Sequence, residues 1–294
     1  MPRPVKHEVA AINIRIPPDH DRDYSGLMKK ISKLKIGLNV FGESHLAINY
    51  FDEKMNFGII SKYDELDLEA PWFDVEEFTE ATPEEIDTIF IPAKLKPHHA
   101  RFFFLLDEKL HTIAFSCYAN STSLSLNSVE KYFRGILNTK SIVDVFGVVE
   151  ADIIKDHAGV KKLLSMQDLR EVEITIRPPN SDDIGASLAS IIEQRLHEQN
   201  ADQYQEILRT SGDKRLDLNA RTKALGNVAA ENGVVKVKNI ENGIVVPYTS
   251  DNMPMKEQDK FKDASELSMF NVLARRLFDR IGIARASGKD AIHE

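Results

Sequence analysis

The chain has 294 residues, 42% of them hydrophobic and 29% charged, with a formal net charge of −8. That balance suits a chain that buries a sizeable core, and no apolar run reaches the roughly 18 residues a membrane-spanning helix needs. The single cysteine, Cys117, lies in the apolar stretch IAFSCYA, which excludes an intrachain disulfide and points to a buried core thiol.

Charge is distributed unevenly. Residues 63–90 carry eleven carboxylates and no Lys or Arg. The overall −8 becomes +3 once those eleven negative charges are set aside, so one block sets the global sign. Three roles are open to this block: solvated surface, a protein-binding face, or a nucleic-acid mimic shielding a basic surface.

The first element is part of a phrase that occurs twice. Glu8–Pro18 reads EVAAINIRIPP and Glu171–Pro179 reads EVEITIRPP. Each is an alternating, β-branched run that passes through an arginine (Arg15, Arg177) into a double proline, and acidic or polar residues follow. The pattern predicts a strand, a rigid exit, a cap and a helix, used twice. The opening residues have no apolar leader core or small-residue cleavage site, the pattern expected of a cytoplasmic protein.

After the first strand, Tyr24–Ile36 places Leu27, Met28, Ile31 and Leu34 at helical spacing, with Gly26 weakening its start. His45–Phe51 and Asn56–Ser61 alternate around Asp52-Glu53-Lys54, a hairpin signature. Beyond the acidic block, Thr88–Ile91 reads as a short strand. Arg101–Leu106 and His111–Tyr118 form a second hairpin, and Asn127 with Glu130 reads as a capping box for a helix to about Leu137. A linker through Val143–Val149 then leads to an interrupted helix over Glu150–Asp168.

The helix after the second phrase is expected over about Asp183–Gln199, with Tyr204–Leu208 extending the helical region. Arg215–Ala220 and Val234–Val246 alternate like strands, and Asn232-Gly233 and Asn242-Gly243 are hairpin-turn signals. Pro247–Gln258 reads as an irregular connector. The final helix, about Ser265–Ile281, carries an apolar stripe suited to docking, dimerisation or burial in its own domain. The expected fold class is α+β, with antiparallel hairpins forming sheets backed by helices and a helical C-terminal element. Two regions are expected: 1–146, with the acidic insert 63–90, and 147–294, with a basic hairpin and the final helix.

No phrase resembles G-x-S-x-G, a Walker A loop, a dinucleotide glycine motif or H-E-x-x-H. His98 and His99 are adjacent and so point apart on a strand, which favours surface or packing roles. Asp19, Asp21, Asp182 and Asp183 follow the two proline pairs. Capping explains acids there, and a metal-dependent nuclease or toxin is the competing reading. No cofactor is implied, and an enzyme is the less favoured class.

The stronger functional signal lies between Gly212 and Lys262. Lys236 and Lys238 share one face of an expected strand, opposite Val235 and Val237. Lys214, Arg215, Arg221 and Lys223 precede them, and Arg221 and Lys223 join that face if the local chain is extended. Arg275 and Arg276 of the final helix extend the basic set. Separated cations on a strand face suit sequence-independent contact with a phosphate backbone, while interspersed acids leave an ordinary solvated hairpin open.

The order of elements resembles a family, the A component of the bacteriophage lambda Rex exclusion system. The resemblance rests on HLAINYFDEKMNFGIIS before an acidic segment and on FFFLLDEKLHTIAFS leading into LSLNSVEKYFRGIL. It continues in VFGVVEADIIKDHAG and DLREVEITIRPPNSDD, and in all covers roughly residues 40–250. It implies a cytoplasmic, homodimeric, DNA-binding protein, and with the separated cations the expected partner is double-stranded DNA bound without sequence preference. Such a protein signals to a separate effector, a membrane protein in the Rex case, without inserting into the membrane itself. Arg177, Lys214, Arg215, Arg221 and Lys223 are the basic positions in comparable regions. Pro178–Asp183 departs from the basic pattern, which moves the expected DNA contact to the Gly212–Lys262 region. A third reading is a protein-interaction adaptor that works through residues 63–90.

Overall fold

A computed structural model describes residues 5–67, 70–119, 122–179, 188–261 and 265–290. The expected α+β class is the observed one: antiparallel sheets backed by helices, closed by a C-terminal helix.

The first strand, β1 (Val5–Arg15), organises the larger sheet. Its β-branched alternation sends Ala10, Ile12 and Ile14 to one face and Val9 and Ala11 to the other, and all five are buried. Helix α1 (Tyr24–Leu34) follows, capped by Asp23, whose carboxylate accepts from the Gly26 amide at 2.7 Å. Strands β2 (Leu38–Phe41), β3 (Ser44–Asp52) and β4 (Phe57–Asp64) come next, and the hairpin around Asp52-Glu53-Lys54 forms as expected.

Past the end of β4, the described residues of the acidic block form the two-residue strands β5 (Phe73–Asp74) and β6 (Thr79–Glu80) and one turn of helix, α2 (Pro83–Ile86). None of its described residues belongs to the buried cores. The second hairpin, β7 (Ala100–Asp107) and β8 (Thr112–Ser116), is also as expected. A small pair follows, β9 (Tyr118–Ala119) and β10 (Thr122–Ser123), before α3 (Leu126–Leu137) and α4 (Lys140–Phe146).

Then come β11 (Glu150–Ile153), α5 (His157–Leu163), β12 (Leu169–Ile176), α6 (Leu188–Glu198) and β13 (Tyr204–Arg209). The chain continues through α7 (Ala220–Asn232), β14 (Gly233–Glu241), β15 (Ile244–Thr249), β16 (Lys256–Phe261) and α8 (Glu266–Asp290).

The larger sheet runs β11-β1-β8-β7-β4-β3-β2, with β16 also pairing β1. On one edge of β1, residues 5–10 pair with β16 and residues 12–15 with β11. One face is covered by α1 and α3, and the other by α8. The α8 stripe Phe270, Leu273, Ala274, Leu277, Phe278 and Ile281 packs there on Val9, Ala11 and Ala114. The smaller sheet runs β13-β12-β14-β15. Its inner face packs Val172, Ile174, Val235 and Val237 against α6 and α7.

Several elements differ from the sequence reading. Tyr204–Leu208 is a strand: Tyr204, Glu206 and Leu208 are half-buried in alternation and the run pairs with β12 along its length. Arg215–Ala220 is no strand, because the Asn219 side chain caps α7 by accepting from the Thr222 amide at 2.9 Å, and Ala220 already begins that helix. The Asn232-Gly233 pair is no hairpin turn but the passage from α7 directly into β14. Gly233 is required there because a Cβ would sit 1.9 Å from the Thr175 carbonyl oxygen of the neighbouring strand. By contrast, Asn242-Gly243 does turn the chain from β14 to β15.

Residues 150–168 form strand β11 and the short helix α5 rather than an interrupted helix, because β1 offers 150–153 an open edge. The expected linker holds α4, and the expected connector contains the end of β15 and the start of β16. Thr88–Ile91 is not a strand. Ser125 rather than Asn127 caps α3, accepting from the Ser128 amide at 3.1 Å. The expected start of the helix at Asp183 lies outside the described residues.

Candidate functional site

Alternation in β14 turns Val235 and Val237 inward and leaves Lys236 and Lys238 on the open face of the smaller sheet. Cross-strand register sets Glu173 beside Lys236 and Glu171 beside Lys238, with Arg209 of β13 flanking Glu171. Lys236 Nζ donates to Glu173 at 3.1 Å, Lys238 pairs with Glu171 at 3.2 Å, and Arg209 Nε donates to Glu171 at 2.7 Å. Arg209, and then Lys238, hold the Glu171 carboxyl below its ordinary value.

The other expected contact residues are spread over the molecule. Lys214 and Arg215 stand on an exposed loop that Arg170 holds by donating to the Gly212 carbonyl at 2.6 Å, and Arg215 lies 3.8 Å from Asp168. Arg221 and Lys223 are exposed on α7, the helix covering the inner face of the sheet that carries Lys236 and Lys238. The extended chain that would bring the four onto one face is not formed. Arg275 and Arg276 are exposed on α8, and Arg276 donates to Asp259 at 3.0 Å.

Arg177 turns inward. It donates to Oδ1 of Asp152, a residue of β11 that is wholly buried. Arg15, itself 4% exposed, donates to Oδ2 of the same carboxylate at 2.5 Å, and Arg134 of α3 donates to Oδ1 at 2.9 Å. Arg134 also donates to Glu130 at 2.8 Å and to the Ala151 carbonyl at 3.1 Å. Burial by itself would raise the Asp152 carboxyl, but Arg15, Arg177 and Lys155 outweigh it and hold it below its ordinary value.

The arginines of the two strand–proline phrases thus meet on one carboxylate. The prolines that follow them meet as well: Pro17, Pro18, Pro178 and Pro179 line a single cavity of about 610 Å³. Sequence reading missed Asp152, although an acid set between Ala151 and Ile153 in the run VVEADII is the signal that marks it.

A second buried ion pair joins three helices. Arg285 of α8 and His157 of α5 both bond Glu231 of α7, at 2.7 and 3.0 Å. Burial would raise the Glu231 carboxyl, yet Arg285 and His157 bring it to about 2.

Cys117 is buried, and that burial pushes its thiol up to about 12, the state of an inert core cysteine. Asp23 is occupied as a cap, and Asp19 pairs with His20 at 3.0 Å. Asp182 and Asp183, the other half of the expected metal set, lie outside the described residues. Among the described residues no group of three or more His, Cys, Asp or Glu is placed to hold a metal ion, and no helix is long and apolar enough to cross a membrane.

A family model described as "Domain of unknown function (DUF4747)" matches residues 5–275, and the chain belongs to that family. No curated protein matches it.

Proposed function

We propose that this DUF4747 chain is a nucleic-acid sensor that contacts the phosphate backbone, of duplex DNA first, through the open face of its smaller sheet. The observation that carries the reading is the row of Arg209, Lys236 and Lys238 on a face that no helix among the described residues covers. Their present partners do not lock them. Lys236 and Lys238 are about half-exposed, and solvent-exposed ion pairs are worth only about 0.2–1 kcal/mol, so a phosphate can displace the carboxylates at small cost. Glu171 and Glu173 keep the face from being strongly basic, which suits modest, salt-sensitive and sequence-independent binding.

The resemblance to the A component of the Rex system supplies the biological setting: a cytoplasmic dimer within a phage-exclusion system, reporting to a separate effector. The acidic block offers a surface for that effector. Phe73, Val75, Phe78 and Phe90 are each 60% or more exposed there, among carboxylates and outside every core. Exposed apolar side chains ringed by charge mark contact surfaces.

The test is a gel shift with duplex DNA, single-stranded DNA and RNA at increasing salt. Duplex binding that falls steeply with salt and is lost when Arg209, Lys236 and Lys238 become alanine supports the reading. Unchanged binding by that variant overturns the placement, and absence of binding to any nucleic acid at low salt overturns the function.

A further inference from the structure

We infer that a second cavity, walled by β11, the first turn of α3 and the start of β14, is a binding site for a phosphate monoester of mononucleotide size. The cavity holds about 320 Å³, and the basic side chains lining it are Arg134, Lys155 and Arg177. That volume is at the lower end of the range of small-ligand sites.

Lys155 carries the argument. It is 4% exposed, yet its ammonium makes no hydrogen bond among the described residues; its ion-pair partner Asp251 is 3.6 Å away. Lys155 lines the cavity, and an ammonium has three donors to offer an acceptor there. Donors also remain on its neighbours. Arg134 uses Nε and Nη2, and Arg177 uses Nη1, which leaves Nη1 of Arg134 and Nε and Nη2 of Arg177 unused by the described residues.

The charges lining the cavity balance, with Arg134, Lys155 and Arg177 against Glu130, Asp152 and Asp251. Arg15, which bonds Asp152 from outside the lining, adds one positive charge. Asp152 is fully buried and saturated by arginines, so it fixes the cations rather than competing for their free donors. Asp251 is the movable acid, 55% exposed at its side chain. Leu126 and Asn127 bring the positive end of the α3 dipole to the same wall. A phosphate offers several acceptor oxygens to this fan of donors, and charge-assisted bonds of this kind are the strong ones.

The site is separate from the open face of the smaller sheet, so its test is separate too. Calorimetric titration of the full chain with AMP, adenosine, inorganic phosphate and a 5′-phosphorylated dinucleotide reads it directly. AMP and inorganic phosphate are expected to bind, with AMP saturating below about 1 mM, and adenosine is not. A preference for AMP over the dinucleotide identifies a free nucleotide as the source, and the reverse identifies a strand end. Lys155→Met, which keeps the volume and removes the charge, should weaken AMP binding by about tenfold or more. Asp251→Asn, at an exposed position, should strengthen it several-fold and serves if the Lys155 variant does not fold. Absence of any phosphate binding at about 10 mM overturns the proposal. So does binding unaltered by Lys155→Met, or by Asp251→Asn where that variant decides. Duplex binding should be untouched by Lys155→Met, and AMP binding untouched by loss of Lys236 and Lys238.

Discussion

Arg15 and Arg177 occupy the same step of two strand–arginine–proline phrases and donate to the two different oxygens of one buried carboxylate, Asp152. A local repeat thereby becomes a long-range tie. It joins the end of β1 in the larger sheet to the end of β12 in the smaller one, through a residue of β11.

This tie sets the first expectation. Asp152→Asn leaves Arg15 buried with no charge to oppose it, and losing one partner of a buried pair costs about 3–5 kcal/mol. Urea denaturation of the variant should show a loss of that size. Arg177→Lys, at a partly exposed position, should cost much less; equal losses would mean that the two arginines are not held as differently as their burial indicates.

Acid stability follows from Glu231 and Asp152. Both carboxyls lie below their ordinary values in the folded chain, so the stability they contribute is fully present above the unfolded value of about 4.3 for Glu and about 3.9 for Asp. It is lost as pH falls through the folded values. For Glu231, held at about 2, the contribution at neutral pH is on the order of 3 kcal/mol. Thermal melts should therefore fall between about pH 4.5 and 2, and Glu231→Gln should flatten that fall.

Gly233→Ala tests the passage from α7 into β14. The added Cβ has the Thr175 carbonyl oxygen at 1.9 Å, backbone that cannot swing aside. Opening the β12–β14 pair to make room should cost about 1–3 kcal/mol or more by chemical denaturation, whereas Gly243→Ala should act through its positive φ alone.

For the nucleic-acid reading, replacing Lys236 and Lys238 together should leave melting within about 0.5 kcal/mol of the parent, since both stand in exposed pairs. The slope of log affinity against log salt should drop by about two in the same variant. Filter binding at several salt concentrations measures it.

The acidic arm makes the last expectation. Serine at Phe73, Phe78 and Phe90 removes exposed side chains that support no core, so stability should shift by less than about 0.5 kcal/mol. Loss of co-purification with the proposed separate effector would follow if the arm is the contact surface, and retained co-purification would exclude it.

Legibility in the sequence followed the range of the interactions. The two tight hairpins, the first helix, the α8 stripe and the alternation that turns Lys236 and Lys238 outward were readable, because each is a pattern over a few residues. Helix α7 was not, since Gly226 and the Asn232-Gly233 pair look like breakers. Yet Gly226 is there to let Leu164 close on the helix, 2.2 Å from where a Cβ would stand. Strands β11 and β13 were missed for a related reason. Each is a short run that becomes a strand only because β1 or β12 presents it an open edge.

The doubled phrase divides the same way. Its residues alone determined two strands, two rigid proline exits and the α+β character of the chain, since alternation and fixed proline φ act locally. That the two arginines share Asp152, that the proline pairs wall one cavity, and that Lys155 is left with an open ammonium were decided only by tertiary structure. Those relations depend on which charges are brought together out of water, and no spacing along the chain encodes that.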